Sequence, residues 1–523
     1  MKAKQVLRIL IVLWVAIGFM PRPDLTAAET SRTTVFISDL HFGVGKNGDV
    51  WDPHEDFRWG DDLKAFLDSL TSTGKGETDL VILGDLLELW QPRKDCVSKD
   101  PDWGCTIDEM ETIVKDVIAA HGVDLKLLAS FARNGSNRMF IVPGNHDAAL
   151  LLPSVWALIS KEMGIKDGDP ITLVRSGVWT SDDGTVVAEH GHQIGGDVNL
   201  YPQWPMLTSE TGGDKLRRPW GEHFVQELYN EREECFPLID NLSPESAGVR
   251  YYMADKGVWG SAQDAARFIW FNLFETSLYQ KMRVLGPQKK GEEFKFNTDK
   301  GRLLGYKLFA GGFPSKDTFR EKLLNDKDPL WEGLRTSLEQ LAKDKAALPD
   351  DQVKLLCAHL AAQKGENPPT WTCVEPKLGA LIEHTLVPKE WVMRAHLNQR
   401  LAEHPRMRTF VYAHTHELWF DWTVQIQNGV AVKVYNTGAF QRLIADEAFQ
   451  ALAKENGITP MQAMKSLPFD KLPACYSGVH ISSEGTTTVK NWYRGGAGNG
   501  TYLSACDEKC SNVSRKCLER TQN

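Results

Sequence analysis

The chain has no long basic stretch, no internal repeat and, beyond its N-terminal segment, no apolar run long enough to span a bilayer. A net charge of −9 over 523 residues supplies none of the positive field that draws proteins to polyanions, so nucleic acid is not an expected partner. The C-terminal cysteines lack a neighbouring His and a paired C-x-x-C, which argues against a structural zinc site there. What remains is an ordinary globular composition, 42% hydrophobic and 25% charged. It is enough for one large core or roughly two to three modest domains.

The N-terminus differs from the rest. Lys2, Lys4 and Arg8 precede the apolar segment ILIVLWVAIGFM, which stops at Pro21 and is followed by the small residues of LTAAETS. This is the pattern of a signal peptide cleaved near Ala27 or Ala28, with an uncleaved anchor as the alternative. Either reading puts the chain in the periplasm or outside the cell, where its 9 cysteines meet an oxidising environment. Cys96 with Cys105 and Cys357 with Cys373 are local candidates for bridges, and Cys506, Cys510 and Cys517 form a further disulfide-prone group. An odd count leaves at least one thiol over within a monomer.

From Thr33 onward, short Val/Ile-rich runs alternate with longer amphipathic ones: TTVFISDL, DDLKAFLDSL, DLVILGDL, METIVKDVIAAH and RMFIVPGN. The order is β-α-β-α-β. The strands are almost wholly apolar and end in Asp, Gly or Asn, as expected of buried strands whose carboxyl ends open into a ligand crevice. TVVAEHGH continues this pattern. Residues 196–404 are aromatic-rich and helix-like, and read as a mainly helical insertion forming a cap. Strands return in RTFVYAHT, VAVKVYNTG and SGVHISSEGTTTVKNWY. The expected organisation is a signal peptide or anchor over 1–28, one α/β domain from 33–195 and 405–494, the insertion, and a Cys-containing tail over 495–523.

The strand ends supply Asp39 and His41 (SDLHFG), Asp85 (LGDLLELW), Asn145, His146 and Asp147 (PGNHD), His190 and His192 (EHGHQ), and His414 and His416 (AHTH). Alternate residues of an extended strand point to one side, so His414-x-His416 presents two imidazoles together. Alone, such a pair reads more readily as two surface histidines in a turn. Combined with carboxylates and an amide oxygen, it completes a ligand set suited to Mn, Fe or Zn.

This ordered series resembles the calcineurin-like metallophosphoesterases, whose blocks run D-x-H, G-D, G-N-H-D/E, H and G-H-x-H. Ala413 stands where that family usually has Gly. The resemblance covers roughly 33–195 and 405–440. It implies an α/β/β/α four-layer sandwich of two mixed sheets, two divalent metal ions, and hydrolysis of a phosphomonoester, phosphodiester or pyrophosphate by a metal-activated water. It further implies Asp39, His41 and His416 at one metal, Asn145, His190 and His414 at the other, and Asp85 between them.

His146 is assigned to the leaving group or transition state, with Asp147 orienting it; the alternative is a histidine that only supports the metal ligands. His192 reads as a substrate contact or a bystander, and Glu88 as a support for the ligands or a solvated helix-end carboxylate. SDLHFG with GDLLELW is also partly similar to the UDP-2,3-diacylglucosamine hydrolase branch, which commonly carries Arg at the position of His146. The insertion's aromatics and Arg217 or Arg218 could form a specificity wall, or the aromatics could be the insertion's own core. Two other readings are a non-catalytic scaffold of the same fold and a membrane-tethered enzyme acting on lipid head groups or nucleotide sugars. Membrane association is expected only through the N-terminal segment.

Overall fold

The computed structural model describes residues 32–523 apart from 92–95, 97–99, 101, 195–198, 202, 209–212, 244–250, 252–388, 427–428, 496–499, 515–516 and 518–523. The expected signal peptide, the centre of the insertion and the Cys357–Cys373 bridge lie outside the described residues. No described helix is long and apolar enough to cross a membrane.

The protein is a mixed α/β fold with two principal mixed sheets. The first has seven strands. Strands β1 (Thr33–Ile37), β2 (Thr78–Leu83), β3 (Arg138–Val142) and β4 (Ile171–Leu173) run parallel in that order. On the other side of β1 the sheet continues antiparallel through Cys475–Ile481, Thr487–Tyr493 and the short edge strand Thr501–Ser504. The second sheet has five strands. Its centre is the parallel trio Val186–Glu189, Thr409–Tyr412 and Ala431–Thr437, flanked antiparallel by Val178–Thr180 and Leu418–Gln425.

Alternation along the strands explains how the core divides. Val35, Ile37, Leu80, Ile82, Met139 and Ile141 face a large cluster that includes Leu63 and Phe66 of helix α1 (Gly60–Thr73), Ile113 and Val117 of α2 (Ile107–Ala132) and Val155 of α3 (Pro153–Met163). The intervening Phe36, Val81, Leu83 and Val142 share a second cluster with Val186, Ala188, Val411 and Phe420 of the other sheet. Strands apolar on both faces are what two flanking layers demand. The far face of the second sheet, with Val187, Phe410, Val432 and Val434, is covered by Met393 and Leu397 of the helix Lys389–Glu403. That helix, read from the sequence as insertion, therefore packs as a layer on this sheet.

The start of the expected insertion is likewise woven into the core: Lys215–Arg217 pairs with Trp103–Thr106, and Trp220, Phe236 and Ile239 join the main cluster. The tail is part of the fold as well. Its strand extends the first sheet, and disulfides Cys475–Cys510 and Cys506–Cys517 fasten it; Cys96–Cys105 forms as expected, and Cys235 is a free, exposed thiol.

One buried polar tie joins α2 to the loop after β1. At the helix kink, His121 donates from Nδ1 to Asp124 at 2.9 Å and sits 3.2 Å from Glu55 Oε1, stacked on Phe42. Burial would lower its pKa, but the bonds to Asp124 and Glu55 outweigh this and raise it from 6.5 to about 9. A group protonated more readily in the fold contributes stability that is full below pH 6.5 and is lost as pH rises through about 9. Replacing His121 by Gln is expected to cost on the order of 2 kcal/mol near pH 6 and much less near pH 10, read from urea unfolding at both values. A gap independent of pH would contradict this tie.

Candidate metal centre

The carboxyl ends of β1 and β2 converge because their pairing continues past the strands as backbone bonds: Asp39 N to Gly84 O, His41 N to Asp85 O, and Phe42 N to Leu86 O, at 3.1, 3.0 and 2.9 Å. This aligns the D-x-H and G-D blocks side by side. Ala413 N donates to His190 O at 2.8 Å and Asn436 Nδ2 to Ala413 O at 2.9 Å, which does the same for the His-bearing loops of the second sheet.

Among the described residues, positive φ outside glycine is confined to Asp39, His41, Asp85, His414, His416 and Lys75. Every one except Lys75 is a predicted ligand. Such conformations cost of order 1–3 kcal/mol each and persist where the surroundings over-determine them, as at functional sites. Two glycines clear the space: a Cβ on Gly84 would lie 2.2 Å from His190 Nδ1, and one on Gly144 would lie 2.1 Å from Asp85 Oδ1.

The side chains gather into groups whose ligand atoms lie within 4.8 Å of one another: Asp39, His41 and His416; Asp85, His190 and His414; and His41, Glu88 and His146. Asp85 stands between the first two, with its Oδ2 3.0 Å from His190 Nε2 and 3.9 Å from His41 Nε2. Asn145 Oδ1 is 2.9 Å from His190 Nε2, so the amide oxygen predicted as a ligand is also at the centre.

These residues fit a metal by the disposition of their nitrogens. His190 Nδ1 donates to Leu83 O at 2.8 Å, and His41 Nδ1 donates to Glu88 Oε2 at 2.9 Å, so each ring leaves Nε2 for coordination. His41 Nε2 and both carboxylate oxygens of Asp39 are buried without a hydrogen-bond partner. Buried polar atoms in that condition are costly unless something binds them.

Charge balances at close range. Burial raises the Asp39 carboxyl, but His416 and then His190 overcome this and hold it below its usual value. Burial likewise opposes ionisation of Asp85, and His190 and His146 hold it well below the usual range. In return, Asp85 lifts His190 to about 9 against the effect of its burial.

Glu88 is the residue that sequence reasoning left undecided. It lies on no helix and is 1% exposed. Its Oε2 accepts from Nδ1 of both His41 and His146, at 2.9 and 2.6 Å, while its Oε1 accepts from the backbone of Trp90 and Gln91. Burial opposes its ionisation, and His146 and His41 pull its pKa to about 2. Its only signal in the sequence was the spacing G-D-L-L-E-L-W.

Asp147 requires correction. It does not orient His146, because its Oδ1 accepts from Gly144 N at 2.6 Å and its Oδ2 from Leu86 N at 2.8 Å. It buttons the G-D loop to the G-N-H-D loop, and burial together with Asp85 raises it to about 7. His146 is oriented instead by Glu88 and by Trp90, stacked on its ring at 4.0 Å. Arg218 is also corrected: it is buried and bonded to Gln226 and to Asp100 O, so it is not presented to a substrate phosphate. Arg217 lines a small pocket with Trp90, His146, Tyr201 and Glu222, its guanidinium over Trp103. His192 is buried with its ring against the edge of Trp204, outside these ligand groups.

No protein-family model matches this chain, and no curated protein matches it at a significant level.

Glu88→Gln is expected to keep the fold and lower divalent-metal affinity by roughly 10- to 100-fold, since it removes the carboxylate that fixes the His41 ring. Competition with a chromophoric chelator measures this, and an unchanged affinity would show that His41 needs no such support.

Proposed function

We propose that this chain is an exported phosphoesterase of the calcineurin-like metallophosphoesterase type, holding two divalent metal ions of Mn, Fe or Zn. The observation that carries this reading is the meeting of two ligand groups, Asp39/His41/His416 and Asp85/His190/His414, with Asp85 between them and His146 at their edge. Helices, sheet, sheet and helix, divided by three apolar clusters, agree with the four-layer sandwich of that family. When bound, two such metals activate water and neutralise phosphate oxygens in an in-line displacement.

The residues of the chain have distinct tasks. Asp39, His41 and His416 hold one site; Asn145, His190 and His414 hold the other; Asp85 serves both. His146, with Nδ1 tied to Glu88 and the ring partly open to solvent, delivers a proton from Nε2 to the leaving oxygen. Arg217 lines the small adjoining pocket, which at about 10 Å³ has room for a single water, and its guanidinium lies over Trp103. The intact ligand set favours an enzyme over a scaffold of the same fold. Substrates are phosphomonoesters, phosphodiesters or pyrophosphates, since the metals engage only the phosphate and its leaving group.

The test is hydrolysis of p-nitrophenyl phosphate and bis-p-nitrophenyl phosphate by the mature chain with Mn, Fe or Zn. Asp85→Ala should abolish activity on both. His146→Ala should lose roughly 10²- to 10⁴-fold on phenyl phosphate, whose leaving group needs a proton, and far less on the p-nitrophenyl ester. Equal losses on the two esters would remove the proton-delivery role; metal-loaded protein inert toward phosphate esters would contradict the function.

A further inference from the structure

A second cluster of acids lies away from the strand-end ligands. Asp56, on the loop between His41 and helix α1, meets Glu233 and Asp240, with carboxylate oxygens within 4.8 Å of one another. Asp56 is 4% exposed and Glu233 fully buried.

Acidic residues alone do not make a site, but the amides around these point the same way. Gln91 Nε2 donates to Glu233 Oε2 at 2.7 Å, which sets the Gln91 amide against the cluster. Asn230, one helical turn before Glu233, donates from Nδ2 to Gln91 O at 3.0 Å. Both amides are at least nine-tenths buried, and Gln91 Oε1, Asn230 Oδ1 and Glu233 Oε1 are all buried without a hydrogen-bond partner. Two orphaned amide oxygens and an orphaned oxygen of Glu233 itself, all buried, call for a donor or a cation.

The Arg58 guanidinium acts on Asp56 and Glu233 through space but forms an ion pair with neither. Arg58 donates Nε to Glu55 O at 2.9 Å and lies over the Phe469 ring at 3.6 Å. The Tyr229 hydroxyl is bonded to Asp240 Oδ1.

We propose that Asp56, Glu233 and Asp240, with the side-chain oxygens of Gln91 and Asn230, form a binding site for a calcium ion, separate from the strand-end metals. All the donors are hard oxygens, mixed carboxylate and carboxamide, which is the calcium set and not one for Zn or Fe. Calcium takes such oxygens at about 2.3 to 2.6 Å in flexible geometry, so carboxylate oxygens already gathered within 4.8 Å of one another can close on a single ion. Burial, with Asp240 adding to it, pushes Asp56 up to about 7 and Glu233 higher still, so the cluster is uncomfortable as bare anions.

The ion would staple three segments: the loop following His41, the segment following Glu88, and the chain entering the insertion. Its consequence is structural order at the wall of the metal centre, with no part in the chemical step.

The experiment uses the full mature chain, stripped by chelator and dialysed, with calcium as the probe at pH 7.5. Binding is read by isothermal titration and by melting temperature, in wild type, Asp85→Ala and Glu233→Gln. One calcium per chain should bind and raise the melting temperature in wild type and in Asp85→Ala. Glu233→Gln should lose that binding and melt higher than wild type without calcium, because a like charge has been removed. The last result distinguishes loss of the site from loss of the fold. No calcium binding by wild type, or binding that survives Glu233→Gln, overturns the proposal; the latter places the ion elsewhere. Neither outcome bears on phosphoesterase activity.

Discussion

Burying Asp39 and Asp85 at the mouth of two apolar sheets is tolerable only because imidazoles surround them at 3 to 4 Å. Everything else at the site serves that balance. Among the described residues neither carboxylate has an arginine or lysine as its ion-pair partner; the compensation comes from His41, His190 and His416, whose charge depends on what else binds them. A centre neutralised by protonatable rings can exchange protons for metal ions without rebuilding its walls. Glu88 and Leu83 O add the remaining requirement, by fixing which nitrogen of His41 and His190 faces inward.

The backbone bears the cost of this arrangement. Five of the predicted ligands sit at positive φ, and Gly84 and Gly144 give up side chains so that His190 and Asp85 can approach. The sheets absorb the strain because their central strands are anchored on both faces by apolar layers. The same rigidity lets loops from residues as distant as Asp39 and His416 bring their side chains to 3.4 Å.

Much of this was legible in the sequence, for a physical reason. Buried parallel strands are short and almost wholly apolar, so polar residues at their ends stand out, and each strand–loop block is local. The strand-end candidates stood out this way, the resemblance implied seven of them as ligands, and those seven lie together. What was not legible depends on long-range packing. A glutamate beside tryptophan reads the same whether it is solvated or, like Glu88, buried between two histidines. Asp147 looked like a partner of its neighbour, yet its oxygens are consumed by backbone amides of its own loop and of the G-D loop. Cys475 finds Cys510 only because the sheet's antiparallel strands bring the tail back. Helix Lys389–Glu403 carries too weak a pattern to show which sheet it covers.

The central claim is that these strand ends hold two metal ions about Asp85. Anomalous diffraction from crystals of the metal-loaded protein, collected at the absorption edge of the bound element, tests it most directly. The account predicts two peaks, one within bonding distance of Asp39, His41 and His416 and one of Asn145, His190 and His414, with Asp85 touching both. Fully loaded crystals showing one peak, or peaks away from these residues, would contradict it.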